Sequence, residues 1–193
     1  MKEYKIALMG ARGVGKSAII QQLVEGTFVY GVRYDRVDRY RKSFMYNNDE
    51  CMLDLTDPLG VGEVVFAEYE DRFPPIKECH IKNNEGFVLV YSVMDHSTLE
   101  YIKTIRDKIV SIKGTEKVPI VVVENKNDAD ALWCNADTSM AYRLVTELPY
   151  CRFTDTSAMN HDEIQGIFYC CLKCIEEVRA EKKKIKIGKC NVL

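Results

Sequence analysis

The chain has 193 residues, 47% of them apolar, enough for one hydrophobic core and for one main domain. A net charge of −2 supplies no global attraction for nucleic acid, so none is expected as a partner. No run approaches the roughly eighteen uninterrupted apolar residues of a membrane span. Met1-Lys2-Glu3-Tyr4-Lys5 enters a strand pattern without a signal-like stretch, so the eight cysteines are expected to be reduced thiols in a cytosolic setting.

Tyr4–Met9 has the pattern of a buried strand, and a glycine-rich octet, Gly10-Ala11-Arg12-Gly13-Val14-Gly15-Lys16-Ser17, follows it. The octet fits G-x-x-x-x-G-K-[ST], in which backbone N–H groups turn inward onto phosphate oxygens. Lys16 adds a point charge toward the outer phosphates, and the Ser17 hydroxyl is suited to Mg²⁺. Ala18, Ile19, Ile20, Leu23 and Val24 recur at helical spacing, so a helix over Lys16–Val24 would place its N-terminus on the same phosphates. A nucleoside triphosphate or diphosphate is the ligand these residues imply.

Farther along, Val37–Tyr46 and Cys51–Asp57 flank Asn47-Asn48-Asp49 and read as an antiparallel hairpin. Gly86–Ser92 and Val118–Glu124 are continuous apolar runs that suit strands buried on both faces of a parallel sheet. Helices are expected near Ser97–Ile112 and Asp137–Glu147, then a short strand at Cys151–Thr154. The last helix, from about Asp162 to Lys183, carries an apolar stripe of Ile164, Ile167, Phe168, Cys171, Ile175 and Val178. Asn160 with Glu163 forms a capping pair at its start. The alternation predicts a wound α/β fold, with ligands at the C-terminal ends of its strands.

Three more signatures fall at those strand ends. Asp57-Pro58-Leu59-Gly60 offers an acid to hold Mg²⁺ through water and, at Gly60, an N–H for a terminal phosphate. Asn125-Lys126-Asn127-Asp128 places a carboxylate, Asp128, that can accept two N–H bonds from guanine and would be left unpaired by adenine. Thr156-Ser157-Ala158 would add a backbone N–H for the guanine oxygen.

With these motifs in this order, the sequence resembles a Ras-family small GTPase of the Ras, Rap and Rheb type. The resemblance runs from Lys2 to Leu193 and includes Glu3-Tyr4-Lys5, Tyr40-Arg41-Lys42 and Leu53-Asp54. It implies a P-loop NTPase-type three-layer sandwich: a six-stranded mixed sheet, five strands parallel and one antiparallel edge strand, with about five helices. It implies GTP or GDP with Mg²⁺ as ligands, held by Ala11, Arg12, Gly13, Val14, Gly15, Lys16, Ser17, Ala18, Phe28, Asn125, Lys126, Asp128, Ser157, Ala158 and Met159. Phe28 would pack its ring against the guanine edge. Asp38 and Tyr40 match positions that the family uses to bind effectors along the edge of the second strand. An exchange factor is a further partner, and the resemblance implies a monomer. The nucleotide domain would span residues 1–180.

The departures lie in both switch segments. The register puts Asp35 where the family has a threonine that ligates Mg²⁺ and bonds the γ-phosphate; a carboxylate there can meet the metal but repels phosphate. Val61 stands at the place of the water-orienting glutamine, so no catalytic residue is assigned beyond charge stabilisation by Lys16 and Gly60. Leu59 adds bulk near the γ-phosphate, and Arg12 replaces a glycine that leaves room for an activating protein's arginine. The stretch from Gly60 to Gly86, with Pro74-Pro75, is longer than the family pattern. Slow hydrolysis, weakly stimulated by activating proteins, is the expectation. A pseudo-GTPase held in one nucleotide state, acting as a scaffold or competitor for effectors, is the second reading; a small P-loop kinase would leave Asp128 unexplained.

Residues 181–193 form a polybasic tail. Cys190-Asn191-Val192-Leu193 is a C-a-a-X sequence with asparagine in place of the first aliphatic residue, its terminal leucine favouring geranylgeranyl over farnesyl. Lys182, Lys183, Lys184, Lys186 and Lys189 would supply the second, electrostatic signal for an anionic leaflet. The expected place is the cytoplasmic face of the plasma membrane or an endomembrane, with a soluble cytosolic pool. Cys171-Leu172-Lys173-Cys174 is C-x-x-C, but it is read as core thiols and not as a zinc site.

Overall fold

The computed structural model describes residues 1–29, 39–58 and 77–190, the side chains of 185–190 excepted. Asp35, Asp38, Leu59, Gly60, Val61, Pro74-Pro75 and the last three residues lie outside the described residues, as does the side chain of Cys190. In chain order the elements are β1 (Lys2–Met9), α1 (Lys16–Glu25), β2 (Arg39–Tyr46), β3 (Asp49–Thr56), α2 (Glu78–Asn83), β4 (Gly86–Ser92), α3 (His96–Lys113), β5 (Ile120–Asn125), α4 (Thr138–Thr146), β6 (Cys151–Thr156) and α5 (His161–Cys190). A single 3₁₀ turn, Ala131–Trp133, lies between β5 and α4.

The strands form one six-stranded sheet in the order β2-β3-β1-β4-β5-β6. Among the described residues only β2 runs antiparallel, paired to β3; every other neighbouring pair is parallel. Helices lie on both faces because successive side chains of a strand point to opposite sides, and here both sides are apolar. Val88, Val90, Val121 and Val123 pack with Ile19, Ile20 and Leu23 of α1 and with Ile164, Phe168 and Ile175 of α5. The intervening Phe87, Leu89, Tyr91, Ile120 and Val122 pack with Ile81 of α2, Leu99, Ile102 and Ile105 of α3, and Leu144 of α4. This is the three-layer α/β sandwich expected from the sequence.

Several boundaries differ from the sequence reading. The hairpin turn is only Asn47-Asn48, with φ of 52° and 66°; Asp49 already pairs with Tyr46. Two positive φ values suit a two-residue turn whose twist matches the strands, and asparagine tolerates that region. The strand expected from Val118 begins at Ile120, and the one expected to stop at Thr154 continues to Thr156, paired with Asn125. α2 takes the place of the fifth helix of the expected fold, for which the sequence reading gave no bounds, and the 3₁₀ turn was not expected. The last helix starts at His161 and continues past Lys183 to Cys190, a run of 30 residues. All six residues of its apolar stripe are buried.

Asp95 caps α3 by accepting from the Ser97 N–H, and Asp137 caps α4 by accepting from the Ser139 N–H. At α5 the capping pair is half as expected. Asn160 accepts from the Asp162 and Glu163 N–H groups, and Glu163 accepts from the Asn160 side-chain amide at 2.7 Å and from the Ser157 N–H, but not from the Asn160 N–H.

Candidate functional site

α1 lacks what the other long helices have. Its N-cap is Gly15, at φ 103°, and no side chain caps its first turn. The first N–H groups of a helix need acceptors, and the helix dipole makes an anion the favoured one. The loop leading there depends on two glycines. A Cβ on Gly10 would sit 2.1 Å from the Val90 carbonyl oxygen, and one on Gly15 would sit 2.2 Å from Nδ2 of Asn125. Both glycines also hold positive φ, so no L side chain fits either place without strain and without displacing the β4 backbone or the Asn125 side chain.

Lys16 is buried at the first position of α1, its Nζ donating to the carbonyl oxygens of Ala11 at 2.7 Å and Gly10 at 3.2 Å. Burial pulls its pKa down to about 8, with Asp57 opposing the fall and Arg12 adding to it. An ammonium held this way is short of negative partners, which a phosphate would supply. The Ser17 hydroxyl donates to Oδ2 of Asp57 at 2.6 Å, and Asp57 is 2% exposed at the end of β3. A hydroxyl and a carboxylate brought together are the hard oxygen donors that Mg²⁺ prefers, so these residues fit that ion. Arg12 and Gly13 face solvent, while Ala11 and Val14 are buried.

Asn125, at the end of β5, joins two loops far apart in the chain. Its Nδ2 donates to the Val14 carbonyl at 2.7 Å, and its Oδ1 accepts from the Ala158 N–H at 3.1 Å. All three residues are buried. Asn125→Ala would leave a buried carbonyl and a buried N–H unsatisfied, at about 1–3 kcal/mol each. The variant is expected to lose about 2–4 kcal/mol of stability, read from the urea midpoint of the unliganded protein; an unchanged midpoint would contradict this bridge.

After Asn125 the chain turns at Lys126, which has φ 69°, and closes with Ala129 N–H to the Lys126 carbonyl. Such a conformation costs a non-glycine residue about 1–2 kcal/mol, and a neighbouring bond holds it: Asn127 N–H to the Thr156 carbonyl at 3.2 Å. The turn carries the Asp128 carboxylate out to the exposed tip of the loop. Ser157 and Ala158 are buried beside it, and Met159 is exposed.

A model of the Ras family matches residues 5–177. The chain belongs to the Ras family. It is therefore a small GTP-binding protein of the GTPase type, and Ras-family GTPases bind guanine nucleotides, generally with Mg²⁺. Effectors and exchange factors are the general partners of such Ras-family proteins.

Two supports of this Ras-family site were not visible in the motifs. Glu163, on α5, accepts from the Ser157 N–H at 2.9 Å, and Gln22, on α1, donates to the Met159 carbonyl at 3.4 Å. Together they hold the loop after β6 from both sides. Only the capping pair hinted at the first, and no local signal marks the second. Phe28 is half-buried against the cluster shared by α1 and α5. Tyr40 is half-buried on β2, the edge strand of the sheet. Trp133, the one tryptophan of the chain, is 68% exposed in the 3₁₀ turn just past Asp128, well placed to report on that loop by fluorescence. Behind the loop, the buried Glu124 accepts from the Tyr91 hydroxyl and from Thr138 at the start of α4.

Proposed function

We propose that this Ras-family protein binds GTP and GDP through the loops at Gly10–Ala18, Asn125–Asp128 and Ser157–Met159, and hydrolyses GTP slowly as a membrane-anchored switch. The observation that carries the reading is the Asn125 bridge: one side chain fastens the phosphate loop to the base-side loop, so both ends of a nucleotide would be gripped by one rigid unit. In this reading the uncapped N-terminus of α1 and Lys16 take the phosphates. Asp128 accepts from two guanine N–H groups, a backbone N–H of the Thr156-Ser157-Ala158 segment meets the guanine oxygen, and Phe28 lies along the base. Ser17 would hold Mg²⁺ directly and Asp57 through water, with Asp35 a further candidate ligand. Mg²⁺, when bound, would neutralise phosphate charge.

Slow turnover follows from side-chain chemistry. Val61 can neither donate nor accept a hydrogen bond, so it cannot orient an attacking water. By the resemblance, Arg12 replaces a glycine that leaves room for an activating protein's arginine, and Leu59 replaces a small residue of the family's pattern near the γ-phosphate. In a single-turnover assay the wild type is expected to hydrolyse bound GTP slowly, and Val61→Gln to raise the rate by about tenfold or more. A wild-type rate equal to that of the glutamine variant would overturn this. Asp35 and Val61 together favour the second reading, a protein held in one nucleotide state that presents β2 to effectors through Asp38 and Tyr40.

The same proposal places the protein at the cytoplasmic face of a membrane, through a prenyl group on Cys190 and the lysines beside it. What supports this is the Cys190-Asn191-Val192-Leu193 sequence and the exposure of Lys182, Lys183 and Lys184 along α5. Among the described residues no helix is long and apolar enough to cross a membrane.

A further inference from the structure

The 3₁₀ turn between β5 and α4 presents large apolar side chains that the core does not use. Leu132 is 89% exposed and Trp133, its neighbour, is 68% exposed. Asn135 and Ala136, just past Trp133, both donate their N–H groups to the Val93 carbonyl at 3.0 Å. Met94, next after Val93 and also exposed, therefore lies at the foot of the turn. One exposed leucine is ordinary on a protein surface, but adjoining large apolar side chains form a patch, and patches mark contact sites.

Hydrogen bonds hold this turn from both sides. The Leu132 N–H donates to Oδ1 of Asp130 at 3.1 Å, and the Trp133 N–H donates to the Asp130 carbonyl at 2.8 Å. His96, at the start of α3, donates its N–H to Oδ1 of Asn135 at 2.9 Å and accepts from the Asp137 N–H at 3.3 Å. A backbone already ordered loses little further freedom on meeting a partner. Tryptophan is also a residue on which binding energy tends to concentrate.

Charge indicates what that partner carries. From Asn127 to Tyr142 the chain has Asp128, Asp130 and Asp137 and no lysine, arginine or histidine. All three aspartates are exposed. They repel an acidic partner, and they repel the anionic leaflet to which the lysines of α5 are suited. An indole face attracts cations, and a guanidinium more than an ammonium, because its plane stacks on the ring.

We propose that the Leu132-Trp133 turn docks an arginine-bearing segment of a partner protein. One guanidinium lies on the Trp133 indole, an apolar neighbour packs on Leu132, and Asp130 and Asp137 face the flanking cations. The surface stands apart from the nucleotide reading, since neither Leu132 nor Trp133 belongs to the loops assigned to the base and phosphates.

Trp133 is the one tryptophan of the chain, so its emission reports the docking directly in the full chain at low salt. Three peptides of equal length and without aromatic residues are titrated: arginines around a leucine, then lysine, then glutamate in place of arginine. The arginine peptide should shift or quench the emission, binding about threefold tighter than the lysine peptide and more weakly as salt rises. The glutamate peptide should leave the emission unchanged. Leu132→Ser should weaken binding severalfold. So should Asp130→Asn combined with Asp137→Asn, which removes both charges and keeps the oxygens that accept from the Leu132 and Ser139 N–H groups. Equal binding of the arginine and glutamate peptides, or no binding at about 1 mM, would overturn the proposal. Wild-type affinity in either variant would do the same. Emission that changes on dilution of the protein alone would show a second copy covering the turn, and would overturn the assignment of a separate partner.

Discussion

Asp128→Ala is expected to weaken GDP binding by about 10²–10⁴-fold while leaving the fold intact. Two N–H bonds to a carboxylate contribute about 1.5–3 kcal/mol each, and every 1.4 kcal/mol is a factor of ten in affinity. The side chain is exposed at a loop tip, so stability should stay within about 0.5 kcal/mol of wild type. The backbone bonds that shape the loop, Asn127 to Thr156 and Ala129 to Lys126, are untouched by the substitution. The loss should be selective: preference for GDP over ADP should collapse along with affinity. Equilibrium titration of both nucleotides checks this, and a change of less than tenfold for GDP would remove Asp128 from the base.

Lys16→Met should act with opposite signs on the liganded and unliganded protein. Removing the point charge at the head of α1 is expected to lower nucleotide affinity by about 10³-fold, since charge-assisted bonds to phosphate are among the strongest available. Without ligand, the wild-type ammonium is buried, and its pKa falls from 10.5 to about 8. That shift corresponds to about 3 kcal/mol of strain on the charged form, partly offset by its bonds to the Gly10 and Ala11 carbonyls. The unliganded variant should thus be more stable than wild type at pH 7 by about 1–3 kcal/mol. Between pH 8 and 10.5 the unfolded wild-type chain holds more protons than the folded one, so its stability rises with pH and the gap closes. Paired unfolding curves at pH 7 and 10 measure this; a variant less stable than wild type at pH 7 would contradict it.

How far the sequence reveals this molecule depends on how local each determinant is. β4 and β5 could be read because their apolar runs have partners on both faces, and every residue of both strands is buried. The octet from Gly10 to Ser17 is contiguous, so its chemistry could be read as a unit. The bounds of α2 could not be read because six residues with one buried side chain, Ile81, carry no periodic signal. The continuation of α5 past Lys183 was hidden for a related reason: a lysine-rich stretch shows no apolar stripe, although lysine is a good helix former. Inside the site, what could not be read is what spans the chain. Asn125 reaches Val14 across 111 positions and Gln22 reaches Met159 across 137. Asn125 was expected to touch the nucleotide; its role as the tie between the two loops needs the sheet order that brings β1 and β5 to either side of β4.

The central claim is that loops leaving the parallel strands grip a guanine base and its phosphates together. The most direct measurement is displacement of a fluorescent GDP analogue from the purified chain in Mg²⁺-containing buffer, by unlabelled GDP, GTP and ATP in turn. GDP and GTP should displace it at equimolar concentrations, and ATP should leave it bound even at about a thousandfold excess. Failure of the analogue to bind, or equal displacement by ATP, would contradict the account.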